Sequence, residues 1–90
     1  MVQTERRVTI NNDFGLHFRP AMQLVDVANR FRAQIRLVKD EQEVDGKSIM
    51  EVMMLAAAKG TVLLIQADGE DAEDAVDALE RLVRDNFDEP

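Results

Sequence analysis

The hydrophobic pattern changes period repeatedly along the chain, and this alternation constrains the fold more than any other feature. Val8 and Ile10, on either side of Thr9, repeat at two residues as a half-buried strand does. Asn11-Asn12-Asp13-Phe14-Gly15 then interrupts with turn chemistry. From Phe18 to Arg32 the apolar Ala21, Leu24, Val25, Ala28 and Phe31 fall at helical spacing. Pro20 suits only a first helical turn, whose amides lack intrahelical acceptors, and this sets His17 at or beside the N-cap. Ile35 and Leu37 predict a second strand, Asp40-Glu41-Gln42 a turn, and Glu43-Val44 a short third strand.

A second helix is expected to start at Ser48, because Ser48-Ile49-Met50-Glu51 matches a capping box. The Ser48 hydroxyl accepts from the amide three residues on, and Glu51 reaches back. Val52, Met53, Met54, Leu55 and three alanines follow, with Gly60 as the expected C-cap and Lys59 beside it. Thr61-Val62-Leu63-Leu64-Ile65-Gln66-Ala67 is the strongest strand. Asp68-Gly69 turns into a last helix striped by Ala72, Ala75, Val76, Leu79, Leu82 and Val83. Its acidic first turn (Glu70, Asp71, Glu73, Asp74) and its late Arg81 and Arg84 complement the helix dipole. Asp77–Arg81 and Glu80–Arg84 are spaced for i,i+4 pairs. The order is βαββαβα. With so few strands the helices must all cover one sheet face, which predicts an open-faced, mostly antiparallel α/β sandwich.

Length and composition narrow the chemistry. Ninety residues hold one compact domain, 1–90, and 46% apolar content supplies it with a core. Cysteine is absent, which excludes disulfides, thiolate metal sites and a thiol nucleophile. Eleven basic residues against 18 acidic ones, net −7, argue against a general nucleic-acid binder, since phosphate-backbone binding depends on Lys and Arg. Without Trp or Tyr there is no stacking platform for single strands. From the polar start Met1-Val2-Gln3-Thr4-Glu5-Arg6-Arg7 no signal peptide is expected, and no run approaches the roughly 20 apolar residues of a membrane span. The expectation is a cytoplasmic protein, with monomer as the default state. The acids between Asp68 and Asp77 lack calcium-loop spacing, so no metal site is expected.

His17 is the one histidine, in Gly15-Leu16-His17-Phe18-Arg19-Pro20-Ala21. An oxyanion on its ring could bond the free amides of a helix start and the Arg19 guanidinium, with the dipole favouring its charge. A neutral, nucleophilic imidazole is available near pH 7, because an ordinary histidine titrates near ~6.5. The arrangement suits reversible phosphorylation of a ring nitrogen; a simple helix cap is the plainer reading of the same position. Gly46-Lys47-Ser48 resembles the end of a phosphate-binding loop, but Glu41 stands where the first glycine belongs and the chain is too short for that fold. Ser48 is thus a cap, a modification site, or both. Met50, Met53 and Met54 on a short helix are ordinary core residues, although so short a helix should leave at least one exposed for partners.

The block Gly15–Ala21 resembles G-[LI]-H-x-R-P-A, the active-site motif of the HPr family of histidine-containing phosphocarriers in the bacterial phosphotransferase system. Gly46-Lys47-Ser48-Ile49-Met50 resembles that family's regulatory-serine motif, with its K-S-I-M core. The similarity continues through Lys59-Gly60-Thr61 and Gly69-Glu70-Asp71-Ala72-Glu73 and so covers essentially the whole chain. The resemblance implies a four-stranded antiparallel sheet with three helices on one face. It implies that His17 accepts a phosphoryl group at Nδ1 (the pros nitrogen) from phosphorylated enzyme I, which draws it from phosphoenolpyruvate. His17 then passes the group to an A-type acceptor component. Arg19 would steady the phosphoryl oxygens, helped by the Phe18 and Arg19 amides. Leu16, Phe18, Ile49, Met50 and Met53 would form an apolar docking patch. No bound cofactor is implied, since positioning and electrostatics do the work. Ser48 would be a regulatory phosphorylation site for an HPr kinase/phosphorylase. A purely regulatory member, in a nitrogen-type or incomplete phosphotransferase chain or acting as an adaptor through Ser48, would share the same residues.

This sequence departs from the family pattern in places. Phe18 replaces a small residue and enlarges the apolar patch. Glu51 stands where relatives often carry Gly or Lys, so a phosphate on Ser48 would meet a like charge three residues away and be disfavoured. Asp26, Asn29 and Glu51 leave the patch less basic, which predicts docking with a shallow salt dependence.

Overall fold

The computed structural model describes residues 3–89; Met1 and Val2 of the polar start, and Pro90, lie outside the described residues. Strands β1 (Gln3–Thr9), β2 (Gln34–Lys39), β3 (Gln42–Asp45) and β4 (Val62–Asp68) alternate with helices α1 (Phe18–Ala28), α2 (Ile49–Met54) and α3 (Ala72–Arg84) in the order βαββαβα. The sheet runs β1-β4-β2-β3 with every neighbouring pair antiparallel. Val8 pairs with Leu63 and Leu37 with Ile65, so the two-residue period of each strand delivers its apolar set to one face. Ile35, Leu37, Val44, Leu63, Ile65 and Ala67 meet Leu24, Val52, Val76 and Leu79 of the helices in a common core. Glu5, Arg7, Arg36 and Glu43 face solvent on the other side. The result is a four-stranded antiparallel sheet with three helices on one face, the open-faced sandwich that the alternation of periods predicts.

Local differences from the sequence reading have identifiable causes. Helix α1 stops at Ala28 instead of running to about Arg32: the Arg30 and Phe31 amides tighten onto the Val27 and Ala28 carbonyls, at 3.0 and 3.3 Å, and the Asp71 carboxylate then takes the Arg32 and Ala33 amides, each at 2.8 Å. Asp71 therefore belongs to the α1–β2 connection rather than to a solvated acidic turn. It sits at the N-cap of α3 without capping that helix through its own side chain. Helix α2 ends at Met54, well before Gly60. Leu55 and Ala57 turn into the core through a left-handed Ala56 (φ 48), and the Ala57 carbonyl accepts from the Leu16 amide at 2.8 Å. Gly60 serves the turn into β4 instead, donating to the Ile10 carbonyl at 2.7 Å.

The capping box forms by half. Ser48 Oγ accepts from the Glu51 amide at 3.3 Å, but the Glu51 carboxylate goes to the Asp45 amide at 3.1 Å. Asp77 likewise leaves Arg81 for Arg6 on β1, at 3.0 Å. Glu80 keeps its Arg84 partner at 3.3 Å and also accepts from Arg6 at 2.6 Å. Packing α3 across β1 presents Arg6 to both carboxylates, a pairing that helical spacing alone does not reveal.

After α3 comes a left-handed turn, Asn86–Asp88, with φ of 55, 54 and 60. Its middle residue, Phe87, is fully buried in the core. Left-handed backbone costs roughly 1–2 kcal/mol per ordinary residue, less for Asn and Asp, and burying a phenyl ring contributes about 1.5–3 kcal/mol against it. The ring anchors the segment.

Candidate functional site

The loop before α1 is set by close backbone approach. Gly15 has φ +67, and a Cβ there would lie 2.6 Å from the Ala57 carbonyl oxygen and 2.8 Å from Ala58 Cα. Only glycine meets both demands. The adjoining Leu16 amide is tied to Ala57, so His17 enters α1 from a stitched position. His17 is the N-cap residue, with extended backbone, and its carbonyl accepts from the Ala21 amide at 2.9 Å. Pro20 has no N–H. The Phe18 and Arg19 amides thus remain as the donors of a first turn that has no intrahelical acceptors for them.

The His17 ring does not cap the helix. Its Nε2 lies 2.9 and 3.0 Å from the two carboxylate oxygens of Glu89, and the side chain keeps 41% of its surface exposed. The hydrogen bond to His17, ahead of one from Asn12, holds the Glu89 carboxyl below its ordinary range. An ionised carboxylate only accepts, so Nε2 carries the proton and a neutral ring presents its lone pair at Nδ1. Among the described residues every hydrogen bond of the ring runs through Nε2. Phe14 stands edge-on to the ring, 6.0 Å between centroids at 80°. Phe14, His17, Phe18, Arg19, Asp88 and Glu89 line one shallow depression.

Glu89 is placed by tertiary contacts. Phe87 fixes the preceding turn, whose carbonyl accepts from Gln23 of α1 at 3.4 Å. The fully buried Asn12 uses Nδ2 twice, donating to the Gly15 carbonyl at 2.7 Å and to Glu89 Oε1 at 3.2 Å. Sequence reasoning missed Asn12, Phe14 and Glu89 as parts of this site. The one available signal was Phe87, a large apolar residue inside an acidic tail, which marks an anchored rather than a solvated segment.

Ser48 caps α2, the helix packed beside α1, and Asn29 at the end of α1 donates to the Lys47 carbonyl at 3.2 Å. Phe18, Met22, Val25 and Ile49 line an apolar groove between the two helices, with Asp26 and Asn29 at its edge. Met50, Met53 and Met54 are all exposed, more than the single residue the helix length required. Leu16 corrects the expected docking patch: at 4% exposure it belongs to the core, because the Gly15 turn sends its side chain inward while its amide bonds Ala57. Ile49 is half-buried, leaving Phe18, Met50 and Met53 as the outward members of the set. Among the described residues no helix is long and apolar enough to cross a membrane, and no cluster of three or more His, Asp or Glu could hold a metal ion.

A half-exposed histidine at a helix start, with a paired Nε2, an open Nδ1 and an arginine two residues on, has the geometry to take a phosphoryl group on its ring. The family described as "PTS HPr component phosphorylation site" matches residues 4–85. The phosphocarrier protein HPr of Pseudomonas aeruginosa is 48% identical over 83 residues, covering 91% of this chain and 92% of that one. The crystal structure of HPr-C-His from Thermoanaerobacter tengcongensis superposes with a TM-score of 0.93 at 40% identity, covering 97% of this chain and 98% of that one. A crystal structure of an HPr dimer from the same organism also matches, with a TM-score of 0.76 at 41% identity over 89% of this chain and 92% of that one. The chain belongs to the HPr family, the phosphocarriers of the phosphotransferase system.

Proposed function

We infer that His17 accepts a phosphoryl group at Nδ1 from phosphorylated enzyme I, charged by phosphoenolpyruvate, and hands it to an A-type acceptor component in the cytoplasm. The observation that carries this reading is the ring itself. It is half-exposed, its Nε2 is engaged by Glu89, and Nδ1 is left as the nucleophile beside Arg19 at the start of α1. In the transfer the Nδ1 lone pair forms the N–P bond, while the bond from phosphorus to the donor's leaving atom breaks and its electron pair stays with the donor. The Phe18 and Arg19 amides and the Arg19 guanidinium are the donors for the phosphoryl oxygens, and the positive end of α1 adds a favourable field. The groove between α1 and α2, with Phe18, Met50 and Met53 around it, is the surface on which the enzyme I and acceptor components dock in turn. The domain acts as a monomer in this exchange.

Incubating the protein with phosphoenolpyruvate and its cognate enzyme I tests the reading. An acid-labile, alkali-stable adduct on His17, absent from His17→Ala, is the expected result. No adduct where enzyme I itself becomes phosphorylated would turn the assignment toward a regulatory adaptor working through Ser48.

A further inference from the structure

Four features converge on the face of the His17 ring opposite the reacting nitrogen. Glu89 places both carboxylate oxygens within hydrogen-bond distance of Nε2. The carboxylate is itself oriented by Asn12, a buried amide whose two N–H groups span the Gly15 carbonyl and Glu89. Three successive left-handed residues and a buried phenyl ring deliver Glu89 there. The Glu89 side chain retains only 15% of its surface, so the pair is largely shielded from water on the carboxylate side. Backbone in the left-handed region for three non-glycine residues persists only where surrounding structure over-determines it, and such sites mark functional constraint.

We propose that Glu89 is a positioning residue for His17, holding the ring as the Nε2–H tautomer and facing the positive charge that the ring acquires when Nδ1 takes a phosphoryl group. The proposal rests on the reading of His17 as the phosphoryl acceptor and extends it to a residue outside the motif. When the Nδ1 lone pair closes on phosphorus and the donor keeps the pair of the broken bond, the Nε2 proton remains on the ring, which becomes an imidazolium. Glu89 is the carboxylate in hydrogen-bond contact with that charge; Asp88 lines the same depression, and Arg19 is the cation facing the carboxylate. On onward transfer the N–P bonding pair returns to Nδ1 and the neutral tautomer is restored, ready for the next cycle. The logic is that of an orienting carboxylate behind a catalytic imidazole, which selects the tautomer and stabilises the charged ring without taking the proton.

The test uses the full chain labelled with 15N in histidine. Ring spectra are recorded for wild type, Glu89→Ala and Glu89→Gln above the range where histidine titrates, and single-turnover phosphorylation by phosphoenolpyruvate-charged enzyme I is measured for each. Wild type is expected to show a protonated Nε2 whose proton exchanges slowly, and an Nδ1 with a lone pair. Glu89→Ala is expected to show mixed tautomers, fast exchange, and phosphorylation slowed about ten- to a hundredfold, the scale of losing one charge-assisted hydrogen bond. Glu89→Gln keeps an acceptor oxygen, so it should retain the protected Nε2 proton without recovering the full rate. A Glu89→Ala ring spectrum or rate indistinguishable from wild type overturns the proposal, as does a wild-type ring protonated at Nδ1. Failure of wild type to be phosphorylated by active enzyme I removes the carrier reading itself. A wild type that is phosphorylated normally beside an indifferent Glu89→Ala removes the positioning role alone.

Discussion

Replacing Phe87 with alanine separates the anchor from the backbone it holds. The ring is 1% exposed and packs with the core beside α3. Truncating a buried phenylalanine typically costs about 3–5 kcal/mol when the site cannot collapse. Here the turn can let go, and release of Asn86–Asp88 from left-handed backbone returns part of that cost. The expected net loss is about 2–3 kcal/mol, toward the bottom of the range for a core truncation. For a domain of this size each kcal/mol moves Tm by roughly 4–8 °C, so thermal melting followed by circular dichroism should drop by about 8–24 °C. Phe87→Leu, which keeps an apolar plug, should lose about 1 kcal/mol. The same variants should lose the protected Nε2 proton of His17 in proportion, because Glu89 follows the turn. A Phe87→Ala protein that melts within a degree or two of wild type would refute the anchoring argument. So would one that melts low while the His17–Glu89 contact survives intact.

Gly15→Ala should cost about 2 kcal/mol or more, since the substitution meets both a left-handed φ and backbone atoms of Ala57 and Ala58; chemical denaturation measures it, and a neutral result would mean that the loop is not held against that segment. The Asp71 carboxyl is lowered chiefly by the Arg32 amide and then by that of Ala33, so its contribution to stability is present above the ordinary carboxylate range and lost as pH falls through the depressed value. Melting curves across the acid range should therefore converge for wild type and Asp71→Ala at the lowest pH and separate as pH rises; parallel curves would contradict this. Ser48→Ala removes a cap bond of 3.3 Å and should cost about 0.5–1 kcal/mol by denaturant titration. Phosphorylation of Ser48 by an HPr kinase should improve in Glu51→Gly, since the phosphate then no longer faces that carboxylate; equal rates and occupancy in both proteins would argue against repulsion. If the exposed Phe18, Met50 and Met53 form the proposed docking surface, the contact is apolar rather than charged and transfer from enzyme I should vary little with ionic strength; a steep loss of rate with added salt would show that charge steering governs docking.

Much of this molecule was legible in one dimension because its periods are local properties. Alternation at Val8–Ile10, Ile35–Leu37 and Leu63–Ala67, and helical spacing from Ala21 to Ala28 and Ala72 to Val83, each specify which side of a segment must leave water. One sheet and three amphipathic helices then have few ways to satisfy all of them together. The placement of His17 and Arg19 at one helix start and of Ser48 at the next was equally legible, since Pro20 and the serine-to-glutamate spacing mark those starts from neighbours a few residues away.

Packing settled the rest, where a group's partner lies far along the chain and several candidates compete for it. Asp77 chose Arg6 over Arg81, Asp71 chose the Arg32 and Ala33 amides over solvent, and Glu51 chose Asp45 over Ser48. Leu16 went inward for the same reason: the space under Gly15 is defined by Ala57 and Ala58, more than forty positions away. The orientation of the His17 ring is the most consequential case. Its motif names the residue, but which nitrogen holds the proton depends on Glu89, Asn12 and the buried Phe87, brought together only when the last turn folds back across the start of α1.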